Sequence, residues 1–202
     1  MEKRKKWLCL WAWLLVLGAV AAHYLFDPWG FYRKVSQEEA GNRMRLVSIA
    51  ENWLGCNEAD GSHQIILDIY NAHEPLAQNY VVQPGDSWCA AFVSAAAIEA
   101  RLTDLIPTEC GCERQIGLWQ ELGRWEEDDN TIPAPGDIIY YNWDQKKTGD
   151  NTGWSDHVGI VVGTKWPFSK VIEGNYDDQV KYRILPLWDI RIRGYGRPDF
   201  SK

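Results

Sequence analysis

Gly-Asp-Ser-Trp-Cys (85–89) runs directly into Ala-Ala-Phe-Val-Ser-Ala-Ala-Ala (90–97), and this stretch decides how the chain is read. Turn residues give way to a run of small, helix-compatible side chains, so Cys89 stands at the start of a helix. The alanines let that helix lie close against a flat partner, and a sheet is the natural one. Sixty-eight residues later Ser-Asp-His-Val-Gly-Ile-Val-Val (155–162) opens a strand-like run on His157. Glu173 and Asn175 follow in Val-Ile-Glu-Gly-Asn (171–175).

This combination has a chemical logic. A thiolate attacks carbonyl carbon, and a helix amino terminus or a nearby histidinium lowers the thiol pKa from ~8.5. The Cys89 backbone N–H also points out of the helix start, where it can help hold an oxyanion. Asp86 or Ser87 is expected to cap the helix. His157 is the candidate base, and it would later deliver its proton to a leaving amine. Glu173 and Asn175, two apart on one strand, would face the same side and orient the imidazole, Glu173 foremost.

Working outward, the segment before Cys89 is helical in pattern. Ser36 and Glu39 read as a capping box. Met44, Leu46, Val47, Ile49, Ala50 and Leu54 recur at helical spacing over 42–54, and Ile65, Ile66 and Ile69 mark a second short helix over 63–72. A further helix is expected over 113–123. Beyond Pro133 and Pro135 the period changes. Runs at 137–142, 157–163, 170–174, 180–185 and 191–196 are rich in Ile, Val and Tyr and separated by turn residues. Helices first and strands second is an α+β pattern, with a central sheet of about five strands. There is no βαβ alternation, which argues against a nucleotide-binding sheet.

The chain of 202 residues carries a formal net charge of −7. Lys3, Arg4, Lys5 and Lys6 lie at the amino terminus, so the remainder is more acidic still. That argues against nucleic acid as a partner, because phosphate binding needs a basic footprint. An uncharged run from Trp7 to Phe26 follows the basic cluster. As a helix it would span roughly 30 Å, one bilayer core. It reads either as a single-pass membrane anchor or as a secretory signal cut near Ala19-Val20-Ala21. Both place the body outside the cytoplasm. The expected organisation is therefore anchor or signal over 1–26, a stalk over 27–41 and a catalytic domain over 42–202.

Five cysteines are present: Cys9, Cys56, Cys89, Cys110 and Cys112. Outside the cytoplasm disulfides persist, and one pair among Cys56, Cys110 and Cys112 would leave Cys89 free. Cys110 and Cys112 lack two further ligands at zinc spacing. Asn57, Glu58, Asp60 and Asp68 do not follow the spacing of a calcium hand. Neither metal nor cofactor is expected. Of the twelve tryptophans, Trp88 and Trp154 are closest to the candidate residues and are expected to wall a cleft.

At these residues the chain resembles the CHAP family, the cysteine- and histidine-dependent amidohydrolases and peptidases related to the NlpC/P60 cell-wall peptidases. The matching pieces are Trp88-Cys89-Ala90 with Phe92-Val93-Ser94, Pro135-Gly136-Asp137-Ile138, Asp156-His157-Val158-Gly159-Ile160-Val161, Glu173-Gly174-Asn175 and Gly194-Tyr195-Gly196. The resemblance implies a papain-like fold, with Cys89 as nucleophile, His157 as base, and Glu173 and Asn175 as orienting residues. It also implies action on amide bonds of bacterial peptidoglycan, as N-acetylmuramoyl-L-alanine amidase or as stem or cross-bridge endopeptidase. The same chemistry on another amide, as in a deamidase or transglutaminase-like enzyme, is the alternative, as is a wall-binding protein without catalysis.

Overall fold

The structure is a computed structural model, and it describes residues 36–128, 130–146 and 151–201. The expected anchor or signal and the stalk as far as residue 35 lie outside the described residues, as does Cys9. Among the described residues, no helix is long and apolar enough to cross a membrane.

Among the described residues, four α-helices precede or flank a six-stranded sheet. They are α1 (Gln37–Asn52), α2 (Gln64–Asn71), α3 (Cys89–Glu99) and α4 (Cys112–Glu121). The strands are β1 (Trp125–Glu126), β2 (Ile138–Tyr141), β3 (His157–Lys165), β4 (Phe168–Glu173), β5 (Lys181–Pro186) and β6 (Ile192–Gly196). The sheet order is β1-β6-β2-β3-β4-β5, and every pairing is antiparallel. The α+β class expected from the sequence is the class found. The extra strand, β1, is two residues long, too short to show a period.

Helix α1 starts earlier than its apolar spacing indicates, because Ser36 caps it by accepting the Glu39 N–H at 3.0 Å. The Glu39 carboxylate turns to Arg43, whose Nε donates to it at 3.0 Å. Arg43 is buried and also donates to Asp137 Oδ1 at 2.9 Å and to the Pro135 carbonyl at 2.8 Å. The Pro-Gly-Asp segment is thus an anchor between α1 and the entry to β2. Burial pushes the Asp137 pKa up, against the lowering effect of the Arg43 charge.

Each face of the sheet has its own core. Ile138, Tyr140, Val158, Ile160 and Ile172 pack with the helices, and Ile139, Tyr141, Val161, Val171, Leu185 and Tyr195 pack on the other side. Helix α3 is buried on all sides from Cys89 to Ala97. That explains its run of alanines: it lies between α1, α2 and β3 with little room for longer side chains.

Two close approaches place the ends of β3 and β4 against the start of α3. A Cβ on Gly174 would lie 2.4 Å from Phe92 Cβ and 2.8 Å from the Trp88 ring, so the chain leaving β4 presses directly on α3. A Cβ on Gly159 would lie 2.7 Å from Glu173 Cγ, so the absent side chain is the space that Glu173 occupies. Gly174→Ala is expected to cost about 3 kcal/mol by overpacking. Thermal unfolding would show it as a Tm lower by roughly 6–10 °C. Gly41→Ala on exposed α1, where nothing lies within 4 Å of the new Cβ, is expected to raise Tm slightly.

Candidate active site

Cys89 is the first residue of α3, and its helix has no side-chain cap. The N-cap is Trp88 rather than Asp86 or Ser87. Asp86 instead closes its own turn, accepting the Gln83 N–H and the Tyr80 hydroxyl, both at 2.7 Å. The first amides of α3 are therefore not consumed by a side-chain cap and face the site. One of them, the Ala90 N–H, hydrogen-bonds the Cys89 sulfur and favours its ionised form.

His157 opens β3, and Tyr141 stands opposite it on β2. Tyr141 stacks on the imidazole at a ring separation of 5.9 Å and an angle of 26°. His157 Nε2 is 3.0 Å from Glu173 Oε2. That partner fixes Nε2 as the protonated nitrogen of the neutral ring and leaves Nδ1 available as a base. Alternation along antiparallel strands puts His157, Gly159, Glu173 and Arg183 on one face of the sheet.

Glu173 has no exposed surface. Burial raises its pKa, but hydrogen bonds and charge from His157 and Arg183 more than reverse this, and the net shift is downward. Arg183 Nε donates to Oε1 at 2.8 Å and to Oε2 at 2.9 Å. Its guanidinium lies over Tyr176 at 3.8 Å and over Trp143 at 4.5 Å. Arg183 was not among the residues expected from sequence. Its only sequence signal was a charge on a strand facing an acidic residue, which is common on any surface.

The expected position of Asn175 is not what the structure shows. Strand β4 ends at Glu173, and Asn175 lies two residues beyond it with φ 56°, in the left-handed region. The strand alternation that would have put Asn175 beside Glu173 does not reach it. Glu173 and Arg183 form the hydrogen-bonded chain behind His157.

The Cys89 and His157 pKa values move apart. For Cys89 the hydrogen bond from Cys112 is the largest influence and outweighs burial, and His157 adds its hydrogen bond and charge, so the thiol falls well below its ordinary value. For His157, burial works against the imidazolium, yet Cys89 and Glu173 carry its pKa up to about 10. Both shifts favour the thiolate–imidazolium form of the pair.

Cys89 lies in a groove with Ser87, Cys110, Gly111, Cys112, Glu113, Arg114, Trp154, Ser155 and Asp156. Trp154 is 75% exposed on this groove, as a cleft wall should be. Trp88 is fully buried and donates its indole N–H to Glu58 at 2.9 Å, so it belongs to the core and not to the cleft. Glu58 is thereby a structural acceptor. The expected disulfide is absent among the described residues: Cys56, Cys89, Cys110 and Cys112 are free thiols. The Cys89 and Cys112 sulfurs are 3.6 Å apart, far beyond the ~2.05 Å of a bond.

These shifts set how stability depends on pH. The His157 pKa is raised by folding, so its contribution is full below ~6.5 and is lost as pH rises through about 10. The Glu173 pKa is lowered, so its contribution is present above ~4.3 and is lost as pH falls through its folded value. Glu173→Gln removes the buried charge from two cationic partners, and a loss of about 3 kcal/mol at pH 7 is expected. Denaturant titrations should show that this loss shrinks towards pH 2–3. A constant loss across pH would mean that Glu173 acts through packing alone.

No curated protein matches the chain. The crystal structure of Ly7917 is similar at 12% identity and a TM-score of 0.45, over 78% of this chain and 62% of that one. The crystal structure of Ly7917 with the hydrolyzing product of MDP is similar at 12% identity and a TM-score of 0.45, over 77% and 62%. This chain thus spans less than two thirds of the length of those structures. The family model described as the CHAP domain matches residues 80–175, a span that holds Cys89, His157 and Glu173.

Proposed function

We propose that this protein is a cysteine-dependent amidohydrolase that cuts amide bonds of bacterial peptidoglycan outside the cytoplasm. The observation that carries the reading is that His157, held by buried Glu173 and through it by Arg183, acts on Cys89 to favour its ionised form. A buried structural cysteine needs no such partners.

The chemistry follows from the geometry. The Cys89 thiolate attacks the amide carbonyl, and the oxygen takes up negative charge at the uncapped start of α3, where backbone N–H groups can hold it. The imidazolium of His157 gives its Nδ1 proton to the leaving amine, and a thioester on Cys89 remains. Neutral His157 then takes a proton from water as the water attacks the thioester. Collapse expels the Cys89 thiolate and releases the acid. Glu173 keeps the imidazole oriented and stabilises its charged form, and Arg183 keeps Glu173 ionised.

Support for a wall substrate comes from the CHAP domain itself and from Trp154, an exposed ring on the groove that offers a face to a sugar or peptide. Support for the location is the basic cluster Lys3–Lys6 ahead of the uncharged run from Trp7 to Phe26. An acidic body has little electrostatic attraction to an anionic wall, so a retained anchor would keep the enzyme near its polymer.

Two outcomes test the reading. Incubation of the purified chain with peptidoglycan should release muropeptides or stem fragments. Cys89→Ala should lower the rate by at least about 1000-fold, and the product masses name the bond. Intact polymer beside cleavage of a glutamine amide in a test peptide would move the assignment to a deamidase or transglutaminase-like activity. The pH profile of kcat/KM should rise below the ordinary thiol range of ~8.5 and fall near the His157 value of about 10. An acid limb at the ordinary thiol value would refute the resting ion pair.

A further inference from the structure

The mechanism above leaves one buried thiol unused. Cys112 is the first residue of α4, it is buried, and its sulfur lies 3.6 Å from that of Cys89. Two helix starts therefore bring two thiols to one point. A separation of 3.6 Å is that of an S–H···S hydrogen bond.

The placement of Cys112 is built from both sides. On the α3 side, the Ser94 hydroxyl donates to the Glu109 carbonyl at 2.7 Å and accepts the Glu109 N–H at 2.9 Å. The Glu109 carboxylate then accepts the Cys110 N–H at 2.7 Å and the Gly111 N–H at 3.2 Å, which shapes the turn into α4. On the sheet side, Tyr140 donates to Gln115 Oε1 at 2.7 Å, and Gln115 Nε2 donates to the Pro107 carbonyl at 2.7 Å. Buried polar groups from α3, α4 and β2 all hold the second sulfur against the first.

Two thiols in so dry a site do not both ionise, because like charges at that distance repel too strongly. The surroundings decide which one keeps its proton. Cys89 has the His157 charge and the Ala90 N–H. Cys112 faces the negative charge of Asp156 and that of Cys89 itself. The proton therefore belongs on Cys112.

We propose that Cys112 is a positioning residue whose S–H donates a hydrogen bond to the Cys89 sulfur, holding the nucleophile's charge and direction at the start of α3. It touches no substrate in this role. Its importance for turnover rests on the reading of Cys89 as nucleophile, but the hydrogen bond can be measured without any substrate.

The test uses the full-length chain under a phosphine reductant, with three variants. Cys112→Ser keeps a donor, Cys112→Val keeps the bulk without one, and Cys112→Ala removes both. Iodoacetamide alkylation of the Cys89 peptide is followed by mass spectrometry against pH. Circular dichroism and Tm identify the variants that fold. The expected result is that Cys112→Val and Cys112→Ala move the Cys89 midpoint up by about one pH unit, so alkylation at a pH below both midpoints slows roughly tenfold. Cys112→Ser should recover at least half of that shift, and the acid limb of kcat/KM should follow the same order.

An unshifted midpoint in folded Cys112→Val or Cys112→Ala overturns the proposal. So does an equal shift in Cys112→Ser and Cys112→Val, since the effect would then belong to the sulfur's bulk and not to its proton. If neither donor-free variant folds, Cys112→Ser decides against native protein, and a midpoint moved by a full unit or more overturns the proposal. If Cys89→Ala retains activity, the functional reading fails, while the alkylation series still judges the hydrogen bond.

Discussion

The structure depends on one costly arrangement, a carboxylate with no exposed surface. Burying an unpaired charge of this kind is prohibitive, so Glu173 requires cations to be in place when the sheet closes. His157 meets it from one neighbouring strand and Arg183 from the other. Sheet register and site geometry are consequently the same fact: β3, β4 and β5 pair as they do, and Glu173, His157 and Arg183 come to one face. The glycines at 159 and 174 serve that arrangement, one by vacating space for the carboxylate and the other by letting β4 reach the helix that carries Cys89.

Around this centre the aromatic residues divide by role. Tyr141, Trp143 and Tyr176 form a wall of rings against the imidazole and the guanidinium, and they keep the charged chain away from bulk water. Trp88 and Trp119 are buried and hold elements together through single hydrogen bonds to Glu58 and Tyr140. Trp154 stands out in solvent beside the nucleophile. Large aromatic content in the sequence therefore reflects three separate demands, and only one of them concerns contact with a substrate.

Much of this was legible from residue order. Cys89 declared itself because turn residues end and small helical residues begin at one point, and His157 because it opens an alternating strand. Glu173 was legible as a carboxylate within a later strand run, which it closes. Asn175 was misread because alternation is informative only while a strand lasts, and the backbone turns left-handed just past Glu173. Arg183 was missed because cross-strand neighbours are set by register, which the sequence of one strand does not contain. Cys112 was read as a disulfide candidate because spacing along the chain reveals nothing of the turn at Glu109 that carries it to the nucleophile.

The parts of the site are widely spaced in the chain, at 89, 112, 157, 173 and 183, and only long-range docking of α3, α4 and three strands unites them. Contacts of that kind close late, after the entropy of long loops has been overcome. Until the sheet is complete, Cys89 is an ordinary thiol on an isolated alanine-rich segment, without base or neighbouring sulfur. A chain that is still emerging or still unfolded therefore lacks the surroundings that lower the Cys89 pKa. The lowered thiol pKa and the native topology arrive together, so the folding of the chain itself sets when Cys89 ionises.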